Sequence, residues 1–83
     1  MHNYANIDIA ENVAYAYWTT ALDNEWLVAN GHAPKAEIVQ IFRELRQVLK
    51  VKASELRKVA NNLRDCKDFD DFYQKLRNLK GNK

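Results

Sequence analysis

Two histidines, one cysteine and three closely spaced aspartates are the side chains in this sequence whose types could hold a metal or perform catalysis. His2 and His32 lie far apart in the chain, and neither has a second ligand one helical turn away, as a metal site on a helix would need. We expect His2 to lie in an N-terminal tail and His32 in a solvated turn between helices.

Structural roles explain the cysteine and the aspartates better than chemistry does. Cys66 falls at an inward position of a helical pattern, so we expect a buried, unreactive thiol. Asp68, Asp70 and Asp71 lack the central glycine and terminal glutamate of a calcium loop, and acidic residues favour the first turn of a helix. Two glycines in the whole chain exclude a glycine-rich phosphate loop. We predict no enzymatic activity, metal, cofactor or small-molecule substrate.

The length and composition indicate one small helical domain. The chain has 83 residues, of which 47% are apolar and 29% charged, as is typical of a globular protein with a small core. We predict a single domain over residues 1–83, with frayed tails at 1–6 and 81–83. The single cysteine, the lack of a signal-peptide pattern and the lack of a long apolar run favour a cytoplasmic protein without a membrane role.

The clearest helical pattern runs from Ile38 to Lys50. Its apolar residues recur at the i, i+3, i+4, i+7 spacing of one helix face, with a basic flank on one side and an acidic flank on the other. Asn30 and Gly31 are typical of the end of the preceding helix, and Pro34 is typical of a first helical turn. The sequence therefore predicts a break near residue 31 and a restart at residue 34.

Helix one is predicted to begin near Ile9, because Asp8 and Glu11 resemble a capping box. It is apolar on two faces. The first face consists of Ala10, Val13, Ala14, Tyr17 and Ala21, with Val28 in line if the helix continues to Asn30. The second face consists of Tyr15, Trp18, Leu22, Trp26 and Ala29, and we call its four large residues, Tyr15, Trp18, Leu22 and Trp26, the aromatic stripe. A break at Asp23-Asn24 stays open, although a continuous helix is favoured.

Two further helices complete the predicted fold. Ser54 is a candidate N-cap for a third helix whose inner face extends to Cys66. Asp68, with Asp71 three residues later, predicts the start of a fourth helix that ends at Gly81. The sequence predicts an all-α fold, a small four-helix bundle with short connections, or three helices if the second and third are continuous.

The charges of the chain are unevenly distributed. Residues 1–34 contain four acidic residues and no Lys or Arg, whereas residues 43–67 carry eight basic residues against three acidic ones. Either the two segments attract each other, within the fold or across a dimer, or the basic segment binds a polyanion. We favour mutual attraction because the net charge of the whole chain is only +2.

Two functional hypotheses follow, and the first is a non-catalytic protein-binding module. One helix of a small bundle rarely buries two apolar faces, and Trp and Tyr are favoured at protein interfaces. The alternative for these aromatic residues is ordinary core packing around a central helix. As an interaction surface, the stripe would serve a regulator, an inhibitor or an assembly partner, with a protein or a second copy in a homodimer as its ligand. The predicted partner-binding residues are Tyr15, Trp18, Leu22 and Trp26.

The second, less favoured hypothesis is nucleic-acid binding. Helices two and three would form a helix-turn-helix, with three polar residues of helix three reading bases and basic residues of helix two contacting phosphates. The turn lacks the usual glycine, and basic helix flanks are often only solvated surface. The residues of this hypothesis are Arg43, Arg46, Lys50, Lys52, Arg57, Asn61 and Arg64.

Overall fold

A computed structural model describes residues 4–79 of the chain and the side chains of residues 9–79. Within this range the fold is all-α, as predicted. Its elements are α1 (Tyr4–Ala29), α2 (Glu37–Leu49), α3 (Ala53–Ala60), a short 3-10 helix (Leu63–Asp65) and α4 (Phe69–Arg77). None of the helices in this part of the chain combines the length and apolar content needed to cross a lipid bilayer.

Helix α1 is one continuous helix of 26 residues. At a rise of about 1.5 Å per residue it is about 39 Å long, close to the 43 Å longest dimension of the molecule. Asp23 and Asn24 do not interrupt it. The predicted start near Ile9 is wrong, because the helix begins at Tyr4 and Asp8 lies within it. Residues 4–8 contain no Gly or Pro, so an existing helix extends through them without a new nucleation cost.

The loop after α1 is held against the helix by one side chain. The Asn24 Oδ1 atom accepts a hydrogen bond from the Lys35 backbone N–H at 2.7 Å, and its Nδ2 donates to the Lys35 carbonyl at 3.4 Å. These bonds keep the backbone at Lys35 out of the helix, so Pro34 lies in the loop, not in the first turn of α2 as predicted. Gly31 has a φ of +83°, which confirms it as the residue that turns the chain away from α1.

The third helix is shorter than predicted. The Asn62 Nδ2 atom donates to the Lys58 carbonyl at 2.7 Å and competes with the backbone for that acceptor. Helix α3 therefore ends at Ala60, and the chain continues as the 3-10 helix. Leu63 and Cys66 are nevertheless buried, as expected. The predicted cap at Ser54 is wrong, because the helix begins at Ala53 and Ser54 lies within its first turn.

Helix α4 begins as predicted. The Asp68 Oδ1 atom accepts a hydrogen bond from the Asp71 backbone N–H at 3.0 Å, which satisfies one of the free donors of the first turn. The helix ends at Arg77; Gly81, the predicted stop, lies outside the described residues. The predicted tails at 1–6 and 81–83 likewise fall mostly outside this range.

The core lies where all four helices meet. Its largest fully buried side chains come from α2, α3 and α4 and are Leu45, Leu56, Phe72 and Leu76. Helix α1 contributes Ala14, Tyr17 and Ala21 from its predicted first face. Val28, predicted to continue that face, is 57% exposed, because α1 extends past the buried core before it ends.

Candidate protein-interaction site

The aromatic stripe lies along α1 and is mostly accessible. Tyr15 is 53% exposed, Leu22 40% and Trp26 61%. Trp18 is less exposed than these three and is partly buried. Large apolar side chains with such exposure on a single helix face form a patch of the kind that marks interaction surfaces. The structure therefore does not place the four residues together in the core of a single subunit.

The N-terminal half of the stripe packs against α4. The Tyr15 ring meets Phe69 edge-on, with 5.1 Å between ring centroids. Trp18 lies 5.2 Å from the Phe72 ring and 6.3 Å from the Phe69 ring. These two residues therefore belong to the margin of the core as well as to the surface.

The C-terminal half of the stripe has little cover. The Trp26 ring stacks on His32 of the loop, with centroids 6.5 Å apart and planes inclined by 14°. This stacking uses one face of the indole and leaves most of the side chain in solvent. The loop that carries His32 is itself fixed to α1 through Asn24 and Lys35. Leu22 and Trp26 are thus presented on a rigid helix, which lowers the entropy cost of binding.

Acidic side chains surround the stripe. Glu11 precedes it by one helical turn, Asp23 follows Leu22, and Glu25 lies one turn after Leu22 on the other side. Their intramolecular partners are few: the Lys35 Nζ atom lies 3.2 Å from the Asp23 Oδ2 atom, and the Arg64 Nε atom lies 3.9 Å from the Glu25 Oε1 atom. Both pairs are exposed and contribute little to stability.

An open groove lies where α1, α2, α3 and the 3-10 helix meet, and we call it the apolar groove. Its larger part has a volume of about 520 Å³, within the range of about 300–1,000 Å³ typical of ligand pockets. Ile38 and Ala60 connect this part to a smaller one of about 240 Å³. Apolar side chains that line the two parts are Ala21, Val28, Ile38, Val39, Ala60 and Leu63.

The residues predicted to bind nucleic acid are all exposed, but three of them do not form one helix face. Arg57 lies on α3, Asn61 follows the end of α3, and Arg64 lies in the separate 3-10 helix. The Arg57 guanidinium lies over the Phe42 ring, 5.5 Å from its centroid. The prediction that Arg57, Asn61 and Arg64 share one continuous helix is therefore wrong, because α3 ends at Ala60. The remaining four residues of the nucleic-acid hypothesis, which are also exposed, are Arg43, Arg46, Lys50 and Lys52.

The titratable groups show no arrangement for catalysis in the described residues. Burial raises the pKa of the Cys66 thiol, the nearby Lys75 opposing the effect, so the thiol stays protonated and weakly nucleophilic. Burial also raises the pKa of the Tyr17 phenol, against an opposing effect of Arg57. Within residues 4–79, no group of three or more His, Cys, Asp or Glu side chains could hold a metal ion.

The backbone N–H of Lys67 and the ammonium group of Lys75 both donate hydrogen bonds to the Asp71 carboxylate, and they lower the pKa of this carboxyl. The same hydrogen bond raises the pKa of Lys75. Two opposite charges joined in this way, one turn apart on α4, form a structural ion pair. These groups stabilise the start of α4.

Comparison with known proteins gives no match. No protein-family model, no curated protein and no solved structure matches this chain. Any statement about function therefore depends on the residues, contacts and charges of the chain itself.

Proposed function

We propose that this protein is a non-catalytic protein-binding module that regulates, inhibits or helps to assemble its partner through the aromatic stripe. The observation that carries the proposal is the 61% exposure of Trp26 beside an exposed Leu22, at the part of α1 that α4 does not cover. Truncating Trp and Tyr side chains at interfaces often costs more than 2 kcal/mol of binding energy. An indole left largely in solvent on a rigid helix therefore suits binding better than folding.

Cys66 and His32 are compatible with a role without catalysis. The Cys66 thiol is buried in the core, and the His32 ring stacks on Trp26. A reduced, buried cysteine is compatible with a reducing compartment, so we place the protein in the cytoplasm.

Nucleic-acid binding is a second candidate, favoured by the exposure of its seven candidate residues. Exposed basic side chains attract any polyanion. However, α3 has only 8 residues, and Arg57 already packs on Phe42. The site therefore offers phosphate contacts but no ordered face for reading bases, and we rank it second.

Photo-cross-linking in the native host tests the proposal. A photoreactive amino acid replaces Trp26 in one variant and Gln47 in the control, where Gln47 is exposed on the side of α2 away from the core. We expect protein adducts from position 26 and few from position 47, with mass spectrometry identifying the partner. Equal adducts at both positions, or none at position 26, would contradict the proposal, and adducts with nucleic acid would favour the second candidate.

A co-purification experiment provides an independent measurement. Leu22→Glu places a charge in the stripe, whereas Ile9→Glu places one at a position of α1 that is 51% exposed and outside the stripe. We expect the first variant to lose the partner and the second to retain it, with unchanged helix content by circular dichroism. Retention of the partner by Leu22→Glu would show that the stripe is not the contact surface.

A further inference from the structure

The apolar groove has the shape and polarity to receive a ridge of apolar side chains. Val28 is 57% exposed and Val39 60% exposed, and they stand on the α1 and α2 sides of a lining that continues through Ile38, Ala60 and Leu63. An amphipathic helix binds in such a groove through residues at i, i+3, i+4 and i+7 spacing. Tyr15, Trp18, Leu22 and Trp26 of this chain stand at i, i+3, i+7 and i+11, which also lie on one helix face.

Basic side chains border the groove. Arg64 lines its larger part and Arg57 its smaller part. Val39 also lines the smaller part, and the residues one, two and three turns further along the same side of α2 are Arg43, Arg46 and Lys50. One acidic residue, Glu25, lies among the lining residues, beside Arg64. The groove therefore favours an occupant with acidic flanks.

Few of the described acidic side chains of the same subunit pair with the basic residues that border the groove. In the part of the chain whose side chains are described, Arg43, Arg46, Lys50, Lys52 and Arg57 form no ion pair. Of the α1 carboxylates whose side chains the structure describes, Glu25 alone reaches a basic residue of the groove border, at 3.9 Å. The attraction between the acidic first third and the basic middle is therefore largely unused within the fold.

We infer that the aromatic stripe of one copy binds the apolar groove of a second copy, a head-to-tail contact that names the partner and rests on the proposed function. The distribution of charge favours the packing of stripe on groove over the packing of like surfaces. Two stripes packed together would place Glu11, Asp23 and Glu25 against the same residues of the other copy, and two grooves would oppose Arg57 and Arg64 in the same way. Stripe on groove instead sets acidic flanks against a basic border.

A head-to-tail contact has a consequence that a symmetric dimer lacks. Each copy keeps one free stripe or one free groove, so association continues with concentration until a ring closes or a chain grows. Because the contact joins exposed charges of opposite sign, its association constant falls as salt rises.

Two variants, each damaged on one surface, test the inference. The stripe variant carries Leu22→Glu and Trp26→Glu, and the groove variant carries Val28→Glu and Val39→Glu. All four positions are at least 40% exposed, so the fold should persist, which circular dichroism checks. The control carries Ile9→Glu and Gln40→Glu, two exposed positions outside both surfaces. Sedimentation equilibrium measures the mass of each sample over a concentration series at low and high salt.

We expect the wild type and the control to self-associate, and each surface variant to associate at least about tenfold more weakly. The mixture of the two variants should form a 1:1 heterodimer that stops at two chains, since it contains one intact stripe and one intact groove.

Other outcomes overturn the inference in distinguishable ways. A groove variant that still self-associates would mean that the stripe packs on another surface, which removes the inference and leaves the proposed function intact. Wild type that stays monomeric throughout also removes the inference, while cross-links from position 26 to a different protein would keep the proposed function. Loss of the cross-links as well would remove both.

Discussion

The two halves of the aromatic stripe each carry one Trp and one other large side chain on the same face of α1, but their surroundings differ. Tyr15 and Trp18 pack on Phe69 and Phe72 of α4, whereas Trp26 stacks on the His32 ring of the loop. The difference arises from length, because α4 has 9 residues and α1 has 26. One continuous apolar face of α1 thus belongs to the core margin where α4 covers it and to the surface beyond the end of α4.

The largest effect is expected in the covered half. Phe72 is 0% exposed and contacts Tyr17, Trp18 and Phe69, so Phe72→Ala should cost about 3–5 kcal/mol. A chain of this size has a total stability of about 4–12 kcal/mol, so much of the variant should be unfolded. Urea denaturation followed by circular dichroism measures the loss.

Val39→Ala is the control for this substitution, because Val39 is 60% exposed and its truncation should change stability by less than about 0.5 kcal/mol. If Phe72→Ala and Val39→Ala unfolded at the same urea concentration, α4 would not be the element that covers the stripe.

A pair of equal substitutions in the two halves gives a more direct measurement. Trp18→Ala should cost about 2–4 kcal/mol, because Trp18 is partly buried between two Phe rings and packs against the core. Trp26→Ala should cost less than about 0.5 kcal/mol of unfolding free energy, measured at concentrations at which the chain is monomeric. Equal losses for the two variants would show that the loop around His32 covers Trp26 in solution.

The elements that the sequence predicts well are those governed by local chemistry. The apolar pattern from Ile38 to Lys50 matches α2 to within one residue at each end, because one apolar stripe suffices to define a helix on a core. The predicted restart at residue 34 is three residues too early. The Asp68 cap is correct because its hydrogen bond spans three residues. The stripe itself was identifiable from spacing, since its members share one face of α1.

The features that the sequence did not predict depend on contacts between distant residues. Pro34 is kept out of α2 by Asn24, eleven residues from Lys35. The end of α3 is a local exception: the Asn62 Nδ2 atom donates to the Lys58 carbonyl four residues earlier, and the sequence does not distinguish this hydrogen bond from one to solvent. The apolar groove combines residues of α1, α2, α3 and the 3-10 helix, and only Val39, an apolar residue on the basic flank of α2, signals it in the sequence.

The smallest expected effect is a weakening, at acid pH, of the packing between α4 and the N-terminal half of the aromatic stripe. The hydrogen bond from the Lys67 backbone and the one from Lys75 hold the pKa of Asp71 below its ordinary value of 3.8. A carboxyl whose pKa is lower in the folded state stabilises the fold above its unfolded pKa, and this contribution is lost as the pH falls through the folded pKa. We therefore expect α4 to loosen below pH 3.8.

The fluorescence of Trp18 should report this change and that of Trp26 should not. Of the two Trp rings, Trp18 is the one that packs against α4. In a Trp26→Phe background, Trp18 emission should shift toward that of solvated indole as the pH falls below 3.8, and Asp71→Asn should reduce this pH-dependent change. Asp70→Asn is the control, since Asp70 is exposed and its removal leaves the Lys67 and Lys75 bonds in place. In a Trp18→Phe background, emission from Trp26 should stay constant over the same range. If Asp71→Asn followed the pH curve of its parent, another carboxylate would hold α4 on the stripe.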